Sequence, residues 1–290
     1  MRMSTLTVEN LTHIYGEHTP FEKSAIKNIS FTAESGEIIG VIGHTGSGKS
    51  TLVQHFNGLL KANSGRILLD GEDIWANPKE IRKIRFKVGL VFQYPEYQLF
   101  EDTVFEDIAF GPKNMGLDDA EIKDRVLKTA KMLGIRDELL DKSPFDLSGG
   151  EKRRVAIAGV MAMMPKVIVF DEPTAGLDPA GRDLVLGKIK EYRDLTGALV
   201  FIVSHSMEDM AKTADRLLVM NGGELFMLDD PETVFKQSRV LEDIGLSVPQ
   251  ITRVFCRLHD SGINVPDDIF TVESALDAIL SLLKGGNIDG

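Results

Sequence analysis

The stretch that most constrains the fold is residues 41–52, "VIGHTGSGKSTL". Glycine weakens helix and strand interiors alike, yet Gly40, Gly43, Gly46 and Gly48 crowd this region. An apolar run, "EIIGVIG" (37–43), leads into it, and an apolar helical pattern, "TLVQHFNGLL", follows the lysine and serine. From Gly43 to Ser50 the residues obey G-x-x-x-x-G-K-[ST]. Strand, glycine loop and helix in that order are the context of a phosphate-binding loop. The glycines let consecutive backbone N–H groups point at phosphate oxygens. Lys49 supplies a positive charge to the β- and γ-phosphates, Ser50 offers its hydroxyl to Mg²⁺, and the helix N-terminus adds a favourable dipole. Gly43, His44, Thr45, Gly46, Ser47, Gly48, Lys49, Ser50 and Thr51 are therefore the expected nucleotide-binding loop, with no role given to the His44 side chain.

Elsewhere, short β-branched runs recur at 6–11, 26–33, 65–71, 88–93, 167–173, 198–205 and 216–225. Several are apolar throughout, as in strands covered on both faces. Helical patterns lie between them, so the expectation is an α/β fold with a largely parallel sheet, a P-loop NTPase. Residues 94–165 are mostly helical and read as a subdomain inserted into that core. From about 232 the pattern changes to a small helical extension, which divides the chain into 1–231 and 232–290. In that extension Ser247 and Gln250 have capping-box spacing. Ile251, Val254, Phe255 and Leu258 form an apolar helical stripe, and "TVESALDAILSLL" gives another.

The chain has 290 residues and a formal net charge of -11, which opposes a nucleic-acid partner held by phosphate neutralisation. Its one cysteine, Cys256, excludes an intrachain disulfide and reads as a small buried apolar residue. The N-terminal residues lack the apolar run of a signal peptide, and no stretch approaches the ~18 apolar residues that span a bilayer. Any membrane role is expected through a partner.

Two further segments carry chemistry. "VIVFDEP" (167–173) is a buried strand ending in two acids, and unpaired carboxylates near a core are costly without a task. Beside a phosphate loop, Asp171 would hold Mg²⁺ through water and Glu172 would act as general base on the attacking water. In "DLSGGEKRRVAIAG" (146–159), Ser148 and Glu151 have capping-box spacing. Gly149 and Gly150 occupy the first turn, where a cap does not need them, but close approach of backbone to an anion does.

This last stretch resembles the signature of ATP-binding cassette (ABC) ATPases, usually LSGGQ, with Glu151 in place of the glutamine. The resemblance covers about residues 4–230. It implies that Gln93 reaches the Mg²⁺ and the water, that His205 contacts the γ-phosphate, that Tyr15 stacks on adenine, and that Asp178 acts across a dimer interface. It also implies two ATPases facing head to tail, so that Ser148, Gly149, Gly150 and Glu151 serve the partner's ATP. The segment 91–117 is similar to the ATPases of energy-coupling factor (ECF) transporters and the related cobalt-uptake ATPases. From Phe92 to Ile108 it has five acids, five aromatics and no lysine or arginine, a composition suited to a basic partner helix. Glu96, Glu101, Asp102 and Glu106 are the expected acids of that groove. The resemblance implies an ATPase at the cytoplasmic face of the cell membrane with three partners: a second ATPase, identical or similar; a transmembrane coupling protein with basic coupling helices; and a membrane subunit that captures a vitamin or metal ion. The tail would strengthen the ATPase dimer. Another class of ABC importer, or a cytosolic ABC ATPase outside transport, remains the alternative.

Overall fold

The apolar runs become strands. The computed structural model describes residues 5–266 and 268–285. Its strands are β1 (Thr5–Tyr15), β2 (Lys23–Glu34), β3 (Ile38–Gly43), β4 (Ser64–Leu69), β5 (Glu72–Asp73), β6 (Val88–Val91), β7 (Val167–Asp171), β8 (Leu199–Val203), β9 (Arg216–Asn221) and β10 (Glu224–Asp229). One sheet runs β10-β9-β3-β8-β7-β6 and is parallel except at the β10–β9 pair. Its central strands are buried on both faces. Ile38 and Ile42 of β3 join one core cluster while Ile39 and Val41 join the other. Successive side chains on a strand point to opposite faces, so a strand between two cores must be apolar at every position.

Beside this largely parallel sheet, which the sequence pattern led us to expect, stands a second one. β2, β1, β4 and β5 form a second, antiparallel sheet. Its strands alternate: Leu6 and Val8 are buried while Thr5, Thr7 and Glu9 are not. That one-sided pattern belongs to a sheet with a single face on the core.

The helices are α1 (Lys49–Phe56), α2 (Ile81–Lys87), α3 (Val104–Met115), α4 (Asp119–Met132), α5 (Gly149–Met161), α6 (Pro179–Thr196), α7 (Met207–Thr213), α8 (Pro231–Lys236), α9 (Ser238–Asp243), α10 (Gln250–Asp260) and α11 (Val272–Gly285). α3, α4 and α5 make up the inserted helical region. Thr103, Asp118 and Ser148 cap them, each side chain accepting a backbone N–H of the first turn.

Beyond 231, Val234, Phe235, Leu241, Leu246 and Val248 pack into the main core. Only the last two helices build a cluster of their own, around Phe255, Val265, Ile269 and Ala275, with Ile251 and Leu258 against it. Val254 of the expected stripe faces outward, 48% exposed. The Ser247–Gln250 capping box does not form. α10 starts after Pro249 without a side-chain cap, and the Gln250 N–H donates instead to Glu208 Oε1 of α7 at 3.1 Å. A carboxylate from a neighbouring helix has taken the place of the local serine. Cys256 is half-buried rather than buried, with Sγ 3.5 Å from Ser238 Oγ. No helix among the described residues is long and apolar enough to cross a membrane.

Candidate active site

The site forms at the C-terminal ends of β3, β7 and β8, where the loops leaving a parallel sheet converge. β3 feeds the glycine loop and α1, β7 ends in Asp171, and β8 leads to His205. Together they shape a cleft of about 320 Å³ lined by Tyr15, Thr45, Gly46, Gly48, Lys49, Ser50, Thr51, Gln93, Asp171, Glu172 and His205.

Two of the loop's glycines, Gly43 and Gly48, are forced by the packing of the chain itself. A Cβ on Gly43 would lie 2.4 Å from Ser47 Oγ and 2.5 Å from the Met220 carbonyl oxygen. Gly48 sits at φ 101°, and its Cβ would lie 2.6 Å from the Ala25 carbonyl oxygen. Lys49 is buried and donates to the carbonyls of Gly43 at 2.7 Å and His44 at 3.0 Å. Burial pushes its ammonium below the usual lysine range. Gly43, His44 and Ser47 thus brace the loop from behind and do not line the cleft. The His44 ring turns aside, with Nε2 3.3 Å from Asn221 Oδ1.

The two acids differ. Asp171 is buried, which raises its carboxyl, while a hydrogen bond from Ser50 and the charge of Lys49 oppose the rise. Glu172 follows the strand at φ 54°, a left-handed conformation that a non-glycine residue adopts at a cost. Burial, with Asp171 adding to it, pushes the Glu172 carboxyl up to about 7. Its Oε1 is buried without a hydrogen-bond partner among the described residues. His205 Nε2 lies 3.4 Å from that oxygen, and burial lowers the imidazole's proton affinity. A buried carboxylate beside a histidine, with a proton affinity near neutrality, is suited to general-base work. The Ser50 hydroxyl, the Asp171 carboxylate and the Gln93 amide share the cleft, an all-oxygen donor set that fits Mg²⁺.

Tyr15 is 41% exposed at the rim, its hydroxyl 3.3 Å from Thr51 Oγ1. Behind it stands a histidine pair that the motifs do not announce. His13 packs edge-on to Tyr15 with ring centroids 4.6 Å apart, and its Nδ1 lies 3.2 Å from His55 Nε2.

The signature residues lie elsewhere. Ser148, Gly149 and Gly150 are exposed and outside the cleft. Ser148 and Glu151 form the expected reciprocal cap. No heavy atom lies within 4 Å of a Cβ built on Gly149, and a Cβ on Gly150 would meet only Arg154 Nη1 at 3.9 Å. Neither has positive φ. Asp178 is also exposed and caps α6, accepting from the Gly181 N–H at 2.8 Å.

A second groove of about 250 Å³ lies between α3 and α5, lined mainly by Phe86, Phe100, Phe110, Val160 and Met163, with one acid, Asp107. None of the four acids expected of a partner groove lines this one. Glu96 is turned inward onto Arg153, and Glu101, Asp102 and Glu106 are not among the lining residues. Asp107 is buried, its Oδ2 lacks a partner among the described residues, and burial raises its carboxyl. Its spacing from Val104 and Ile108, on the buried face of α3, was the signal available in the sequence.

The profile described as ABC transporter matches residues 26–175. An energy-coupling factor transporter ATP-binding protein, EcfA2, of Caldanaerobacter subterraneus subsp. tengcongensis is 52% identical over 97% of this chain and 98% of its own length. The chain belongs to the ABC transporter family, among the ATP-binding proteins of energy-coupling factor transporters. The EcfA2 protein of Geobacillus kaustophilus, at 42% identity over 96% of this chain and 97% of its own length, is a more distant relative. Among solved structures, cbiO1 of Clostridium perfringens, described as part of the ABC transporter complex cbiONQ, superimposes with a TM-score of 0.74 at 40% identity, covering 86% of this chain and 97% of that one. The ATP-binding cassette MJ0796, solved as a dimer bound to ADP and Pi, gives a TM-score of 0.70 at 27% identity over 78% of this chain and 98% of that one. The family's cassette architecture thus matches the sheet and helical region described above.

Proposed function

We propose that this chain is the ATP-hydrolysing subunit of an ECF-type importer, bound at the cytoplasmic face of the cell membrane and energising uptake of a vitamin or transition-metal ion. Its partners are a second ABC ATPase, identical or similar, a transmembrane protein with basic coupling helices, and a membrane subunit that captures the cargo.

The observation that carries this reading is the separation of two halves. Lys49, Asp171, Glu172 and His205 converge in one cleft, whereas the Ser148–Gly150 edge lies outside it with glycines the chain does not need. A second protomer placed head to tail would bring that edge to the nucleotide. Within the cleft, Lys49 neutralises phosphate charge and Tyr15 offers a face to adenine. Glu172 takes a proton from water as its oxygen attacks the γ-phosphorus, and ADP leaves. Mg²⁺, held by Ser50 and Asp171 with Gln93 nearby, would supply charge neutralisation on the phosphates. His205 sits where it orients Glu172.

The groove at Asp107 fits the membrane partner. A buried carboxylate without a counter-ion is costly, and a guanidinium arriving in an aromatic-walled groove relieves that cost. The test is purification of the tagged chain from its native membranes with mass spectrometry of what accompanies it. Recovery of a second ATPase with integral membrane proteins is expected. Recovery of a ribosome or a nucleic acid without membrane proteins overturns the transport reading.

A further inference from the structure

Arg153 stands in the second turn of α5, beyond the signature residues, and is buried, its side chain 7% exposed. Its guanidinium makes three contacts to two other loops. Nε donates to Glu96 Oε2 at 3.2 Å and Nη2 to Glu96 Oε1 at 3.0 Å. Nη1 donates to the Ala175 carbonyl oxygen at 2.7 Å. Glu96 lies three residues beyond Gln93, in the 3₁₀ turn Pro95–Gln98. Ala175 closes the turn that begins at Glu172, its own N–H donating to the Glu172 carbonyl at 3.2 Å.

The pair with Glu96 satisfies the charge. The third contact is what gives the residue a further task. Glu172 is held at positive φ, and such strain persists only where the surroundings over-determine it. One contact on the far side of that turn is Arg153. The same planar fork that grips the turn also grips the segment after Gln93, and a bidentate guanidinium fixes direction as well as distance.

We propose that Arg153, with Glu96, is a positioning residue for hydrolysis: it clamps the Gln93 loop to the Glu172 turn, so that amide and carboxylate meet the nucleotide in one fixed arrangement. The inference rests on the reading of Glu172 as the base. It predicts loss in the chemical step and not in nucleotide affinity, because Arg153 is not among the residues lining the cleft.

The test measures ATP hydrolysis by the tagged full chain purified with its native complex. Arg153→Lys keeps the charge and loses the fork. It is expected to lower kcat about ten- to a hundredfold, as misplacement of catalytic groups does, with KM for ATP unchanged. Glu96→Gln, close to isosteric, is expected to do the same and carries the test should Arg153→Lys not fold. The double variant is expected to be no slower than the slower single, since the two residues act as one unit. Wild-type kcat in both single variants, a rise in KM with kcat unchanged, or multiplicative losses in the double variant overturn the proposal. Glu172→Gln separates the two readings. Turnover surviving in it removes Glu172 as base, and the clamp's purpose with it. If Glu172→Gln is inactive while Arg153→Lys and Glu96→Gln match the wild type, the clamp alone fails.

Discussion

The cleft at Lys49 and the edge at Ser148 are both rich in glycine, for opposite reasons. In the cleft, Gly43 and Gly48 are demanded by neighbours within the chain, which leave no room for a Cβ. At the edge, Gly149 and Gly150 have helical backbone and open space around them. The cleft is also paired internally: Lys49 on two carbonyls, Asp171 on Ser50. The edge offers caps that finish its own helices and then faces outward. A glycine that its own fold does not need marks a surface shaped for something else. Burial and contact therefore separate two kinds of glycine motif that letter patterns treat alike.

The largest effect that tests this contrast is chemical. Glu172→Gln is expected to cut turnover about 10²–10⁴-fold, the worth of a general base, while binding of ATP, followed by equilibrium titration, is retained. In the unsubstituted chain the ionised carboxylate is the active form. With Glu172 at about 7, turnover should climb as pH rises through that value.

Next comes the histidine pair behind the cleft. His55 is buried and held near a proton affinity of about 4, by burial above all. Its Nδ1 lies 2.7 Å from the Thr51 carbonyl oxygen and its Nε2 faces His13. The fold refuses a proton that the unfolded chain accepts below about 6.5. Stability is therefore complete above that pH and declines as pH falls toward 4, by up to about 3 kcal/mol. Thermal unfolding across that window should show the slope, and His55→Leu should flatten it.

The glycines themselves give smaller effects of opposite sign. Gly48→Ala should cost at least about 1–2 kcal/mol from its left-handed backbone alone. Gly150→Ala should add about 0.5–1 kcal/mol of stability, as alanine does in a helix, and still lower turnover of the assembled complex. Urea unfolding paired with phosphate-release assays reads both. Equal destabilisation by the two substitutions would erase the contrast between cleft and edge.

An effect as small as that at Gly150 is expected at Asp178. Removing this cap with Asp178→Ala should cost about 1 kcal/mol, and Asp178→Ser should restore it. Turnover that stays low in the serine variant points to a role across an interface. Full recovery of turnover with the cap would reduce Asp178 to a helix start.

Much of the site was legible because its parts are local. The phosphate loop, the paired acids and the reciprocal cap at Ser148 and Glu151 each depend on neighbours a few residues apart, and local spacing survives in any fold that contains the segment. The second sheet was not, because apolar runs mark strands without stating which partner each will pair with. Ser247 failed as a cap because a carboxylate from α7 reached the helix start first. Asp107 was passed over in favour of four neighbouring acids: its spacing from Val104 and Ile108 hinted at a buried position, but the packing of α3 on α5 is what desolvates it.

The chain's letters alone determined that a glycine loop of phosphate-binding pattern follows a buried strand, that two acids end another, and that a glycine pair opens a helix. They did so because hydrogen-bond geometry along a backbone repeats over short distances. Which acid is free, which is paired and which glycines serve their own fold was settled only when residues far apart in sequence met, as Glu96 and Arg153 do across 57 positions. Desolvation, unlike propensity, is a property of the surroundings and not of the residue, so it exists only once the tertiary structure does.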